Sequence, residues 1–355
     1  MPEPVSWPDR QRAADFDTWL ARIAPAHRLR PESLRMASAD ASFRRYLRID
    51  ADDQACSRII MDAPPDKENC APFVQVADLM AQAGVRAPQV LDWDREHGFL
   101  LLTDLGRRTL LDVLDPARPE AAQPFFLEAI DALVRWQCAS RPQVLPPYDE
   151  ALLRRELALF PDWYIERHRG ITLDAAQRQT LDHAFDLIVR HNLASASASV
   201  YVHRDYMPRN LMLPDDGSAA LGVLDFQDAV HGPVTYDIAS LMRDAFLSWE
   251  EEFVLDVTVR YWQAARKASL PVDEDFGSFY RAVEWMGLQR HLKVAGIFAR
   301  LTLRDGKAKY LADAPRFIGY IRATAGRYRE LAPLLRLVDA TENITPASGY
   351  IFGRP

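Results

Sequence analysis

Lysine is scarce in this sequence. Lys67, Lys267, Lys293, Lys307 and Lys309 are the five lysines among 43 basic residues, and Lys67 stands alone in the first 260 positions. Cysteine is scarcer still. Cys56, Cys70 and Cys138 form no C-x-x-C pair and no even framework, which excludes a disulfide scaffold and points to reduced thiols in the cytoplasm. The longest apolar runs, such as residues 99–102, are far too short to span a bilayer. Glu3, Asp9, Asp15 and Asp17 occupy the place where a signal peptide needs an apolar core, so secretion is not expected. No repeat or low-complexity segment is present. A net charge of −7 argues against a general nucleic-acid binder, while leaving room for a local basic pocket. What remains is 355 residues, 48% hydrophobic and 26% charged, which suits a globular enzyme of two lobes or domains.

One stretch organises the chain. A β-branched run at residues 200–202 leads into His203-Arg204-Asp205, and Asn210 follows Asp205 by five positions. A second apolar run, residues 221–224, delivers Asp225-Phe226-Gln227. Phosphoryl transfer needs a carboxylate to orient the attacking hydroxyl and oxygen ligands to hold Mg²⁺. Asp205 suits the first role. Asn210 and Asp225 suit the second, because hard cations take carboxylate and amide oxygens. The spacing matches the kinase catalytic loop H-R-D-x-x-x-x-N, followed after a hairpin by a metal-binding Asp. The second triplet reads Asp-Phe-Gln where a kinase has Asp-Phe-Gly.

At these residues the chain resembles the aminoglycoside-phosphotransferase superfamily, which includes choline and homoserine kinases. The segment from Gly232-Pro233-Val234-Thr235-Tyr236-Asp237 to Asp244 looks like bacterial anomeric sugar kinases acting on N-acetylmuramate and N-acetylglucosamine. So do Gln289-Arg290-His291-Leu292-Lys293 to Arg300, and Arg304-Asp305-Gly306-Lys307. The resemblance covers nearly the whole chain. It implies an α+β, bilobal, protein-kinase-like fold. Residues 1–102 would be a small β-rich nucleotide lobe, 103–106 a hinge, and 107–355 a larger helical lobe with the catalytic loop, metal site and acceptor site. It also implies that His203 is structural and that Asp237 holds the catalytic-loop backbone.

Periodicity fills in the elements. Phe16, Trp19, Leu20 and Ile23 predict a helix over about 9–24 that Pro25 stops. Residues 34–36 and 43–49 read as a hairpin around a turn at 38–42, and a third strand covers about 56–61. A helix over about 72–82, a strand pair at 90–93 and 99–102, and a hinge at Thr103 and Leu105 follow. Backbone groups near Thr103 and Leu105 would pair with adenine. Apolar stripes then mark helices beginning near Phe126, Leu152, Leu181, Ile238, Phe253 and Trp285, with Pro161 interrupting the second and the fourth reaching Phe246. The tail from about 341 reads as irregular.

Two kinase features are missing. The hairpin turn has no glycine, and Met61 ends the third strand where a phosphate-clamping Lys would stand. The next helix offers Gln75 and no Glu to pair with such a lysine. The nucleotide candidates are therefore Ser42, Phe43, Arg44 and Arg45 of the hairpin, Lys67, and the hinge. An N-acetylated sugar is neutral or, with a lactyl ether, anionic, so it calls for aromatic faces, amide partners and an arginine. Asp228, His231, Arg243, Arg290, His291 and Arg300 are the candidates.

The expected activity is transfer from ATP, with Mg²⁺, to the anomeric hydroxyl of an amino sugar in cell-wall recycling. Two alternatives stay open: another small-alcohol or aminoglycoside kinase of this fold, and a nucleotide-binding pseudokinase. A protein kinase is not expected, because no Ala-Pro-Glu segment separates Asp225 from the following helix. The expected partners are a nucleotide and a small sugar, without nucleic acid or membrane, acting on a cytoplasmic monomer.

Overall fold

The computed structural model describes residues 5–7, 9–39, 43–53, 57–194, 199–214 and 220–345, the side chains at 38 and 39 excepted. The chain divides into two compact units, each described here by itself. Unit 1 holds Met1–Leu114, Asp131–Ala139 and Pro208–Ala229. Unit 2 holds Asp115–Ile130, Ser140–Met207 and Val230–Pro355.

Unit 1 is built on an antiparallel sheet of order β1-β2-β3-β5-β4. Its strands are β1 (Leu29–Ala39), β2 (Arg45–Ala51), β3 (Ser57–Asp62), β4 (Val90–Asp94) and β5 (Phe99–Thr103). Alternation sends Leu47, Ile49 and Ile60 to one face, with Phe99 and Leu101, where α1 (Arg10–His27) packs Phe16, Trp19, Leu20 and Ile23 against them. Phe16 meets the Phe99 ring edge-on at 5.4 Å and Trp19 stacks on it at 5.5 Å. Each such buried side chain stabilises the unit by roughly 1.5–3 kcal/mol.

Pro25 does not stop α1. The helix runs on to His27 and ends at Arg28, whose left-handed backbone (φ 51°) lets its N–H cap the carbonyls of Ala24 and Pro25. Proline removes one hydrogen bond from the last turn, and the burial of Ile23 and Ala24 holds that turn in place. The turn between β1 and β2, with Ser42, lies outside the described residues.

The rest of unit 1 is α2 (Ala71–Gln82) and a short hairpin of β7 (Leu211–Met212) and β8 (Gly222–Val223). Two backbone bonds fix that hairpin. Val223 N–H donates to the Arg86 carbonyl at 2.7 Å and Leu213 N–H to that of Arg108 at 2.9 Å.

Unit 2 is helical apart from β6 (Ser199–Val202) paired with β9 (Val230–Pro233). The helix α3 (Pro119–Cys138) gives its first part to unit 2 and its last part to unit 1. It is followed by α4 (Glu150–Leu157), α5 (Ala175–Leu193), α6 (Tyr236–Met242), α7 (Glu251–Lys267), α8 (Phe276–Leu303), α9 (Ala314–Arg327) and α10 (Ala332–Glu342). Pro161 sits inside a widened π-helical segment, Phe160–His168, rather than at a clean break. The centre is α8, in which Trp285, Met286 and Leu288 and the run from Gln289 to Gly296 are all buried.

The helix α6 stops at Met242, short of the expected Phe246. Arg243 leaves the helical region (φ −118°, ψ 62°), and the Asp244 carboxylate accepts the Ala245 N–H at 2.6 Å. A side chain that satisfies nearby backbone competes with the helical ladder. Among the described residues no helix is long and apolar enough to cross a membrane.

Candidate active site

In unit 2, β6 ends at Val202 and delivers His203, Arg204 and Asp205 into a tight loop. Asp237, fully buried in the first turn of α6, accepts the His203 N–H at 2.7 Å and the Arg204 N–H at 3.0 Å. Those two bonds fix the loop, and Arg204 adopts a left-handed φ of 77° within it. Burial pushes the Asp237 carboxyl up to about 7, against the pull of the two N–H donors. His203 is buried against Tyr206, which itself donates to the Ala129 carbonyl at 2.7 Å. The Asp205 side chain is 38% exposed, so of these acids it alone faces solvent.

Beneath the loop lies a buried charge cluster. Arg204 pairs with Glu156, and Lys293 Nζ stands 3.0 Å from the same carboxylate. Tyr148 donates to Glu156 at 2.5 Å and Gln289 at 2.9 Å. Burial alone would raise the Glu156 carboxyl, but Lys293 and Arg204 outweigh it and bring it down to about 2. Arg290, only 1% exposed, places Nη2 3.9 Å from Asp205 Oδ1. Its charge also bears on Asp237 and on buried Asp244, whose carboxyl burial raises to about 6.

In unit 1 the β7–β8 hairpin presents the second pair. Asn210 Nδ2 donates to Asp225 Oδ2 at 3.3 Å, and Gln227 Nε2 to Asp225 Oδ1 at 3.0 Å. Leu224 N–H donates to the Asn210 carbonyl at 2.9 Å, which ties the two positions together through the backbone. Asp225 is exposed with a left-handed φ of 64°, an uncommon state for a residue other than glycine and one that concentrates at functional sites. Phe226 packs on Phe73 of α2 at 4.9 Å. Gly222 packs closely on Leu105, whose Cδ1 would lie 2.8 Å from a Cβ there and would have to shift.

These residues fit a Mg²⁺ ion. Asn210 brings an amide oxygen and Asp225 an exposed carboxylate, which is the donor chemistry and charge that a hard cation takes.

The nucleotide candidates of unit 1 have distinct surroundings. Arg44 is buried and pairs with Glu68, Nη2 at 3.1 Å. Arg45 bonds Asp62 through Nε at 2.9 Å, shares that acid with Arg12, and lies over Trp7. Phe43 is 62% exposed, and Lys67 lies over its ring at 5.0 Å. Thr103 donates its N–H to the Gln89 carbonyl at 3.0 Å. Leu105 is buried, and Asp104 between them accepts from Arg48 (2.6 Å), Ser57 (2.8 Å) and Gly106 N–H (3.0 Å).

The acceptor candidates also differ. Arg243, His291, Glu251, Glu284, Tyr280 and Tyr320 line one cavity of unit 2. His291 is buried, which pushes its imidazole well below the usual range. Arg300 is half-buried on α8 with its guanidinium lowered by burial. His231 sits in β9 opposite Tyr201, and Asp228 is exposed in unit 1. Sequence reasoning missed Glu68, Asp104, Glu156 and Asp244. Glu68, Asp104 and Glu156 pair with arginines far along the chain, and Asp244 was read only as the end of a motif-like segment.

Comparison with known proteins places the chain. A profile of the phosphotransferase enzyme family (APH) matches residues 33–272. An N-acetylmuramate/N-acetylglucosamine kinase of Pseudomonas aeruginosa is 52% identical over 93% of this chain and 97% of that protein. One of the same name from Neisseria meningitidis is 49% identical over 92% and 95%. Among solved structures, choline kinase of Cryptosporidium parvum gives a TM-score of 0.60 at 10% identity, covering 91% of this chain and 99% of that one. The GDP complex of aminoglycoside 2'-phosphotransferase-IIIa gives 0.59 at 13%, covering 89% and 99%. The α+β, protein-kinase-like architecture is thus shared across this group, and the chain belongs to the APH phosphotransferase family.

Proposed function

We propose that this protein is a cytoplasmic, monomeric kinase that transfers the γ-phosphate of ATP to the anomeric hydroxyl of N-acetylmuramate and N-acetylglucosamine, in peptidoglycan recycling. The observation that carries this is 52% identity over nearly the full chain to a kinase named for those two sugars, with Asp205, Asn210 and Asp225 all in place.

Asp205 accepts a hydrogen bond from the acceptor hydroxyl and finally its proton. An anomeric hydroxyl is more acidic than an ordinary alcohol, so a carboxylate base is sufficient. Asn210 and Asp225 would hold Mg²⁺, which when bound would neutralise charge on the phosphates. Asp237 and the Glu156 cluster keep the Asp205 loop in its geometry, and in-line positioning supplies most of the rate. Backbone groups near Thr103 and Leu105, other than the Thr103 N–H that Gln89 holds, would pair with adenine. The cavity beside Arg243 and His291 combines two aromatic rings, two carboxylates and arginine, which is chemistry that an N-acetylated sugar uses.

The test is ATP consumption with Mg²⁺ over N-acetylmuramate, N-acetylglucosamine, glucose, kanamycin, choline and homoserine, with Asp205→Asn beside wild type. Turnover on the two N-acetylated sugars with phosphate on C1, reduced about 10²- to 10⁴-fold in kcat by the variant, is expected. Turnover on kanamycin alone would overturn the substrate. Nucleotide binding without any turnover would overturn the activity.

A further inference from the structure

We infer that Arg44 and Glu68 together replace the missing strand lysine and helix glutamate, with Arg44 touching the nucleotide phosphates and Glu68 positioning it. The inference rests on the kinase reading above and adds to it a named clamp.

The register of the sheet carries the argument. Tyr46 stands opposite Met61 and Arg48 opposite Ile59, while Leu47 and Ile49 face α1. Strand alternation therefore puts Arg44, Tyr46 and Arg48 on the sheet face away from α1, together with Met61. That is the position and the face on which a kinase would carry its clamping lysine. Arg48 on this face reaches Asp104, at the expected hinge, at 2.6 Å. Arg44 lies at the end of the same row that is nearer the hairpin turn.

Glu68 completes the pair. It precedes α2, the helix that offers Gln75 and no glutamate. Its carboxylate takes Arg44 Nε at 3.2 Å and Nη2 at 3.1 Å through one oxygen, and the Phe43 N–H at 3.1 Å through the other. One half-buried acid thus fixes both the guanidinium and the backbone where the hairpin returns. A planar guanidinium so oriented loses little entropy on meeting phosphate oxygens and can engage two at once.

The two competing cations are placed differently. Arg45 points to the α1 face, where Asp62, the Ser6 carbonyl and the Trp7 ring hold it. Lys67 is exposed and lies over Phe43.

The experiment is calorimetric binding of adenosine, ADP and a non-hydrolysable ATP analogue to the full chain with Mg²⁺. It compares wild type, Arg44→Met, Arg44→Lys, Glu68→Gln, Lys67→Met and the double variant Arg44→Met/Glu68→Gln. Arg44→Met is expected to leave adenosine binding unchanged and to weaken ADP and the ATP analogue about 10- to 100-fold. Arg44→Lys should recover part of that loss. Glu68→Gln should fall between, and the double variant should be no weaker than Arg44→Met, as expected of residues acting as one unit. Equal loss for adenosine and the ATP analogue would reduce Arg44 to a packing role and overturn the inference. So would a phosphate-dependent loss in Lys67→Met with none in Arg44→Met. A wild type that binds no nucleotide would instead overturn the kinase reading beneath it.

Discussion

Glu156 shows how far Asp205, the proposed base, depends on groups it does not touch. Its carboxylate is the shared partner of Arg204 and Lys293, both largely buried, and Tyr148 and Gln289 complete its hydrogen bonds. Removing one member of a buried ion cluster leaves the others charged and unmatched. Glu156→Gln is therefore expected to cost about 3–5 kcal/mol in urea melts, and to lower kcat because Arg204 stands next to Asp205. A wild-type midpoint would show that the cations find other partners and that the cluster is not needed. Asp205, Asn210 and Asp225, the trio proposed to react and to hold the metal, could be picked out of the sequence because that chemistry fixes residue type and spacing within a short stretch. Of the supports around it, Asp237 was expected from the resemblance and does hold the loop backbone, while the long-range charged pairs were not foreseen. Glu156 reaches Arg204 across 48 residues, Arg48 reaches Asp104 across 56, and Arg44 reaches Glu68 across 24. No local pattern encodes a pairing at such distances.

At the scale of elements, periodicity located the amphipathic helices and the sheet, because one buried face repeats with the period of the element. It missed where neighbours override local preference. The helix α1 passes Pro25, α6 ends early at Arg243, and Pro161 lies in a widened turn rather than a break. The contact of α8 with that widened segment is of this kind. Gly296 lies so close to it that a Cβ would stand 2.3 Å from the Leu159 carbonyl oxygen. Backbone cannot yield there as the tip of a side chain could. Gly296→Ala is expected to destabilise the fold by roughly 1–3 kcal/mol, with a lower thermal midpoint. An unchanged midpoint would mean that α8 slides to make room. In the sequence Gly296 read only as part of a motif-like run, and its steric role needed the partner backbone to be seen.

For the molecule as a whole, buried acids shape stability against pH in two opposed ways. Glu156 is held down at about 2, so its contribution is complete above the unfolded value of 4.5 and is lost as pH falls toward 2. Asp244 is the reverse case. It is buried, it feels Arg290 and Arg316, it accepts backbone N–H groups from Ala245 and Phe246, and burial still raises it from 3.8 to about 6. Between those values the folded state binds more protons than the unfolded one, so stability falls as pH rises. The cost is complete above about pH 6 and amounts to about 3 kcal/mol. Asp237 carries the same sign, but both its oxygens serve backbone donors, and an asparagine could accept only one of them. Asp244 uses Oδ1 toward Ala245, while Oδ2 has no partner among the described residues. Asp244→Asn is therefore the cleaner probe. Denaturant melts should place it level with wild type at pH 4 and above it at pH 8, with the gap opening between pH 4 and 6. Parallel curves for the two proteins would show that Asp244 is ionised in the fold throughout, with Arg290 or Arg316 outweighing its burial.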